Sequence, residues 1–316
     1  MGGKQAARFG GCLSRDKATR RPKRASGRTA SRAQFGPSCM RGQATQEASR
    51  AISAQLVVLA AGKGTRMMEL TENTPKTLLP IVEGRCILEI NVQSVVRSKA
   101  ATSICVVGGH AWDSLRTHLQ CYTGCQIAVE GMLNSDYDVA GPCRSIQLAL
   151  AKAKDSCDRI IIANGDTIFS SVAFQRMKVQ DPGLYLLGSR TSSVETDDLV
   201  VTCDLHGRVH SASKVNADSA FAIISSGMLA AVGVEAINML SDALVAVLKR
   251  EKDTGRQLPW HDVLGHLSAK ATSARLLLIN RDAWYEFDSR SCLARFDSRP
   301  DSVFRRLSAC DISPMH

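Results

Sequence analysis

Residues 55–81 read QLVVLAAGKGTRMMELTENTPKTLLPI and hold the chain's densest set of side chains suited to phosphate chemistry. The small residues of Ala60-Ala61-Gly62-Lys63-Gly64-Thr65-Arg66, just after Leu59, let a polyphosphate approach the backbone. Gly62 and Gly64 can take the positive φ angles that turn N–H groups inward as an anion nest. Thr65 adds a hydroxyl, and Arg66 a rigid fork for phosphate oxygens. Ten residues beyond Arg66, Pro75-Lys76 is an extended dipeptide that delivers a second cation. Asp166 stands just past the apolar run 160–163, where open α/β sheets bind ligands, and a carboxylate there suits Mg²⁺ held against phosphates. The plain alternative is a glycine-rich β–α turn and an aspartate in an ordinary turn.

The loop has neither the Gly-Lys-Ser/Thr ending of a P-loop nor the Gly-x-Gly-x-x-Gly of dinucleotide folds. The whole string LAAGKGTRM…ENTPKTLLPI resembles the signature of the nucleotidyltransferase superfamily that includes the MobA-like and sugar-nucleotide pyrophosphorylase enzymes. The resemblance runs over residues 55–297 and implies a nucleotide-binding stretch of Leu59, Ala60, Ala61, Gly62, Lys63, Gly64 and Thr65, with Arg66 and Lys76 neutralising phosphates. It also implies release of pyrophosphate and the fold of these enzymes. That fold is a doubly wound, mostly parallel Rossmann-like sheet with helices on both faces and a small antiparallel insertion. Trp284-Tyr285-Glu286-Phe287-Asp288 is similar to the family's closing Trp-x-Glu-Ile-Asp, and makes Asp288 the second Mg²⁺ carboxylate beside Asp166. An alternative for Asp288 is a favourable charge at a helix N-terminus.

Within the superfamily, TENTPK, Ser213-Lys214, Pro-Trp-His-Asp-Val-Leu and Trp-Tyr-Glu-Phe-Asp look most like the bacterial phosphocholine cytidylyltransferases and their phosphonate-activating relatives. The resemblance implies CTP and a small phosphate- or phosphonate-bearing acceptor such as phosphocholine, with Lys214 touching the acceptor's phosphate. Gly141-Pro142 stands where those enzymes have Asn-Asn. Two alternatives are a sugar-1-phosphate nucleotidylyltransferase and an inactive nucleotide-binding regulatory homologue. The first usually carries Gly-Thr-Ala in the middle loop and a later Glu-Lys-Pro, both absent here. The second has no need of Arg66, Lys76, Asp166 and Asp288 together. Tyr137 and Trp260 are the aromatic candidates for a cationic acceptor through cation–π attraction, and each reads equally as a core residue.

These side chains need elements to position them. Leu56–Leu59, 104–108, 126–130 and 159–166 read as buried strands of an α/β sheet. Helices are expected over 87–98, near 114–119 and over 234–248, with another opening at Leu258. The Asn-, Asp- and Gly-rich stretch 134–145 reads as a loop, with Gly141 and Ser145 as further nucleotide-binding candidates. Ser145 is the expected N-cap of the helix after it, and a loop feeding a helix N-terminus suits a phosphate. Segments 198–203 and 208–213 flank Asp204-Leu-His-Gly207 as a hairpin. A strand over 275–280 and a short helix through Leu293 and Phe296 complete the pattern. His110, after Gly108-Gly109, is read as an aromatic-like position rather than a catalytic base.

The net charge of +10 lies in the first fifty residues, which hold twelve Lys/Arg and two acidic residues, whereas the other 266 residues are balanced at 28 of each. The expected organisation is a basic tail over 1–51, a nucleotidyltransferase domain over 52–298 and a tail over 299–316. A tail so poor in large apolar residues cannot bury enough surface to fold. It reads as a solvated extension from an upstream start codon, with Met40 as a later start, or as an Arg- and Ser-rich organelle transit peptide. A neutral body argues against nucleic-acid binding, and no apolar run is long enough to span a bilayer. Eleven scattered cysteines without zinc-like spacing read as reduced, mostly buried thiols in a cytoplasmic setting.

Overall fold

The structure, a computed structural model, describes residues 52–214 and 222–297. The two expected tails lie outside the described residues.

The chain enters through β1 (Ala54–Ala60), whose side chains alternate between two cores. Leu56 and Val58 face one layer and Val57 the other, so the strand is apolar from Leu56 to Ala60 because both its faces are covered. After the phosphate-type loop, the short pair β2 (Pro80–Val82) and β3 (Arg85–Cys86) leads into α1 (Ile87–Ser98). Next come β4 (Ser103–Gly108), α2 (Trp112–Leu119) and β5 (Ala128–Leu133). The middle loop feeds α3 (Pro142–Ala153), and β6 (Arg159–Asn164) returns to the sheet. Then follow β7 (Thr167–Phe169), α4 (Ser171–Arg176) and β8 (Gly183–Thr191). The hairpin β9 (Val200–Cys203) and β10 (Val209–Ser213) precedes the long β11 (Ala222–Val232). The chain continues through α5 (Val234–Thr254), α6 (Asp262–Ala269), β12 (Arg275–Leu278), β13 (Trp284–Glu286) and α7 (Arg290–Asp297).

Nine strands form one sheet with the path β10-β9-β11-β6-β1-β4-β5, and β8 and β12 branch from β11. The central run β6-β1-β4-β5 is parallel, while β11 runs antiparallel to β6, β8 and β9. Ile146, Leu150, Leu240, Leu244 and Leu264 cover one face, and Leu88, Val92, Val95, Leu115 and Phe174 the other. This is the doubly wound sheet expected from the sequence, with the β9–β10 hairpin as its antiparallel insertion.

Local differences have local causes. Ser145 is not the N-cap of α3. Pro142 takes the first helical position, where its fixed φ and missing N–H cost nothing, so Gly141 is the cap and Ser145 lies inside the helix. The third strand starts later than the 126–130 expected, at Ala128. Pro259 and a turn delay α6 to Asp262, and α5 runs on to Thr254, where Gly255 ends it at φ 63°.

Candidate active site

The candidate side chains gather at the carboxyl ends of β1 and β6. Register pairs Leu59 with Asn164, so the loops after both strands leave the sheet side by side. The amide of Gly165 donates to the Leu59 carbonyl at 2.9 Å. A Cβ at residue 165 would stand 2.3 Å from that oxygen, so only glycine allows so close an approach. Of the two loop glycines expected at positive φ, Gly64 takes it, at 64°, and Gly62 does not. The Thr71 hydroxyl and the Met67 amide both bond to the Gly64 carbonyl and fix that turn. His110 donates from its amide to the Ala61 carbonyl and from Nε2 to that of Thr71 at 2.7 Å, so it fastens this loop.

Lys76 Nζ bridges Asp166 Oδ2 at 2.9 Å and Asp288 Oδ1 at 3.1 Å. Burial opposes its charge, but the two carboxylates outweigh burial and hold its pKa above the ordinary value. Arg66 lies at 3.0 Å from Asp288 Oδ1 and 2.8 Å from Asp197 Oδ2. Asp197 also takes the Lys214 ammonium, at 2.5 Å. That bond first, and then Arg66, holds the Asp197 carboxyl below the usual range against the effect of burial. Lys63 pairs instead with Asp138.

Glu286 joins Asp166 and Asp288, and oxygens of the three carboxylates lie within 4.8 Å of one another. Burial first, and then the two aspartates, push the Glu286 carboxyl well above the ordinary range. Convergent hard oxygen donors with excess negative charge fit Mg²⁺. Asp288 uses Oδ1 for both Lys76 and Arg66. Neighbouring elements hold the carboxylates in place. β13 pairs antiparallel with β7, and Asn91 of α1 donates to Thr167 O at 2.8 Å and accepts from the Phe169 amide at 2.9 Å.

Three cavities adjoin here. One of about 310 Å³ is lined by Leu59, Ala61, Gly62, Tyr137, Gly141, Ser145 and Trp260, among others. Tyr137 and Trp260, expected at the acceptor, therefore share a cavity with residues expected at the nucleotide. Trp260 is buried, bonds Asn164 Oδ1 through Nε1 at 2.9 Å and stacks on His261 at 3.7 Å. Asn134 donates to the Ser145 hydroxyl at 3.0 Å. Buried Glu251 accepts from the amides of Gly141 and Leu258, which holds the middle loop against the segment before α6. The second cavity, about 220 Å³, joins the first at Asp166 and runs past Ala60, Gly64, Thr65, Arg66 and Lys76 to Asp288. The third, about 500 Å³, begins at Asp288 and Glu286 and is walled by Glu195, Asp197, Asp198, Arg281 and Arg295. Lys214 lies beside it, through Asp197.

Residues 56–180 match the model of the MobA-like NTP transferase domain. A stretch of 124 residues, 38% of this chain, is 26% identical to a CTP:phosphoglutamine cytidylyltransferase of Campylobacter jejuni, and the match takes in 47% of that relative's length. The fold is similar to that of a CTP:phosphocholine cytidylyltransferase from Streptococcus pneumoniae, with TM-score 0.59, 18% identity, and 78% of this chain and 98% of that one covered. It is likewise similar to an inositol-1-phosphate CTP transferase from T. maritima, with TM-score 0.61, 15% identity and 78% and 97% covered. A nucleoside-diphosphate-sugar pyrophosphorylase from Vibrio cholerae gives TM-score 0.58, 18% identity and 76% and 98% covered. These likenesses show a nucleotidyltransferase fold.

Sequence reasoning assigned no role to Glu286, Asp197 or Asn91. Glu286 lies inside the Trp-Tyr-Glu-Phe-Asp string, and its position two residues before Asp288 on an extended segment was the available signal.

Proposed function

We propose that the chain is a Mg²⁺-dependent nucleotidyltransferase that moves CMP from CTP to a small phosphate- or phosphonate-bearing acceptor and releases pyrophosphate. The observation that carries this reading is Lys76 bridging Asp166, where the first and second cavities join, and Asp288, where the second and third join. The nucleoside occupies the cavity between Ala61-Gly62 and Gly141–Ser145, with Tyr137 and Trp260 in its wall. The triphosphate lies along Gly62–Arg66, with Arg66 and Lys76 neutralising it. The acceptor enters from the Asp288 side, where carboxylates and arginines together suit a molecule carrying both signs of charge.

An acceptor phosphate oxygen attacks the α-phosphorus in line. A new P–O bond forms, the bond to the bridging oxygen breaks, and pyrophosphate leaves with that oxygen's electron pair. No covalent enzyme intermediate is needed, and the chain contributes position and charge neutralisation. Asp166, Glu286 and Asp288 would hold Mg²⁺, which when bound supplies Lewis-acid stabilisation of charge on the phosphates.

The test is pyrophosphate release from each of four nucleoside triphosphates against phospho-alcohols, aminophosphonates and sugar phosphates. The proposal requires turnover with CTP and an amine-bearing acceptor. Release only with UTP or dTTP and a hexose 1-phosphate would make the chain a sugar-1-phosphate nucleotidylyltransferase. Nucleotide binding without release from any pair would leave the inactive homologue.

A further inference from the structure

A second cluster of ligating side chains lies away from the carboxylates, on the α1–α2 face of the sheet. Cys86 ends β3 and caps α1, Glu89 is in the first turn of α1, and His118 is in the last turn of α2. Cys86 Sγ lies 3.8 Å from His118 Nε2, and that nitrogen lies 3.7 Å from Glu89 Oε1. All three donor atoms fall within 4.8 Å of one another. Zinc bond lengths and a tetrahedral angle put neighbouring ligand atoms roughly 3.3–3.6 Å apart. The Cys86–His118 and His118–Glu89 spacings need only a few tenths of an ångström of adjustment.

The other Glu89 oxygen accepts from the Cys86 amide at 2.8 Å, which holds the carboxylate in place. Tyr122 supplies an independent sign of a ligand. Its side chain is buried, and its hydroxyl has no hydrogen-bond partner among the described residues. Its ring meets that of His118 edge-on at 5.8 Å. That ring contact places Tyr122 against the same cluster. The side chains of Glu89 and His118 are 34% and 23% exposed, which leaves an entry route.

We propose that Cys86 Sγ, Glu89 Oε1 and His118 Nε2 form a zinc site separate from the Asp166 cluster, with a water in the fourth position that satisfies the Tyr122 hydroxyl. One thiolate, one imidazole and one carboxylate select a borderline-soft ion over Mg²⁺. Zinc displaces the Cys86 thiol proton, which passes to solvent, and a Zn–S bond forms. The ion ties the start of α1 to the end of α2. Glu89 and His118 lie on two helices and Cys86 ends the strand before the first, which is why cysteine spacing in the sequence does not reveal them.

The experiment is a cobalt(II) titration of the full chain, reading thiolate-to-cobalt charge-transfer absorption. One equivalent should produce the band. Equimolar zinc should remove it, and a large excess of Mg²⁺ should not. Cys86→Ser keeps an N-cap hydroxyl, so circular dichroism should be unchanged while the band disappears. His118→Gln should weaken zinc affinity by more than about tenfold. Cys121→Ser, Cys125→Ser and Asp166→Asn should keep the band. Absence of the band at stoichiometric cobalt, its survival in Cys86→Ser, or its removal by Mg²⁺ would overturn the proposal.

Discussion

The amide of Phe287 donates to the carbonyl of Asp166 at 2.9 Å. This bond lies just past the β7–β13 pairing, in which Glu286 stands opposite Thr167. Two segments far apart in the chain are thereby locked so that Asp166, Glu286 and Asp288 converge. The carboxylates are set by backbone pairing, which makes them tolerant of isosteric change in structure but not in charge.

Asp166→Asn is therefore expected to leave the melting temperature nearly unchanged and to lower kcat on the order of 10³-fold, through loss of one metal-holding charge. Pyrophosphate release at saturating Mg²⁺ measures this. Activity above about a tenth of wild type would remove Asp166 from the metal site.

Gly165→Ala should be severe for a different reason. The new Cβ meets the Leu59 carbonyl at 2.3 Å, and neither strand end can retreat without breaking the β1–β6 register. A loss of about 3 kcal/mol or more is expected, the upper end for overpacking. Gly62→Ala is the control. Its Cβ meets nothing within 4 Å, so stability should change by less than about 0.5 kcal/mol. Equal denaturant midpoints for the two variants would contradict the close approach.

Asn91→Ala tests the positioning of β7. It strands Thr167 O and the Phe169 amide in a fully buried setting. Each orphaned group should cost about 1–3 kcal/mol. Because Asn91 touches only backbone, kcat should fall more than the KM for nucleotide rises. An unaltered melting temperature would show that Asn91 does not hold the strand.

His261 carries an expected pH dependence. It is buried against Trp260 and bonds Ser225 Oγ at 2.8 Å, and burial pushes its pKa from 6.5 down to about 3. Below pH 6.5 the unfolded chain takes up a proton that the folded chain refuses. This contribution to stability is therefore complete above 6.5 and shrinks by about 1.4 kcal/mol per pH unit toward 3. Denaturation series between pH 7 and 4 should show a shallower acid loss in His261→Gln than in wild type. Parallel losses would mean that other groups account for the acid sensitivity.

Much of this was legible in the sequence, for definable reasons. β1, β4 and β6 announce themselves because the middle of a strand covered on both faces is a continuous apolar run. Lys76 and Asp166 are readable from their chain context, since Pro75 fixes an extended approach and a strand end fixes the turn. What stayed hidden depends on neighbours distant in sequence. Glu286 looks like any strand glutamate until two aspartates are folded against it. Arg66 reads as a phosphate ligand, but its tie to Asp197 depends on a loop more than a hundred residues away. Ser145 read as a cap because its side chain suits one, and Pro142 took precedence by fixing φ three residues earlier.

Tyr137 gives the sharpest test of how the cavities divide the substrates. A cation–π role at the acceptor was the expectation from residue type. In the structure Tyr137 lies with Ala61, Gly62, Gly141 and Ser145 in the cavity on the β1 side of Asp166, whereas Lys214 and Asp197 lie toward the Asp288 side. The Tyr137 cavity joins the second cavity at Asp166 and is walled by Ala61 and Gly62. If the triphosphate follows Gly62–Arg66, the cavity holding Tyr137 belongs to the nucleoside. Tyr137→Ala should then raise the KM for CTP by about 5- to 30-fold, the equivalent of about 1–2 kcal/mol of lost ring contact, and leave the acceptor KM within about twofold. Lys214→Ala should do the reverse. Steady-state kinetics with both substrates varied distinguishes these outcomes. A Tyr137→Ala enzyme with a normal CTP KM and a raised acceptor KM would return Tyr137 to the acceptor and exchange the roles of the two cavities.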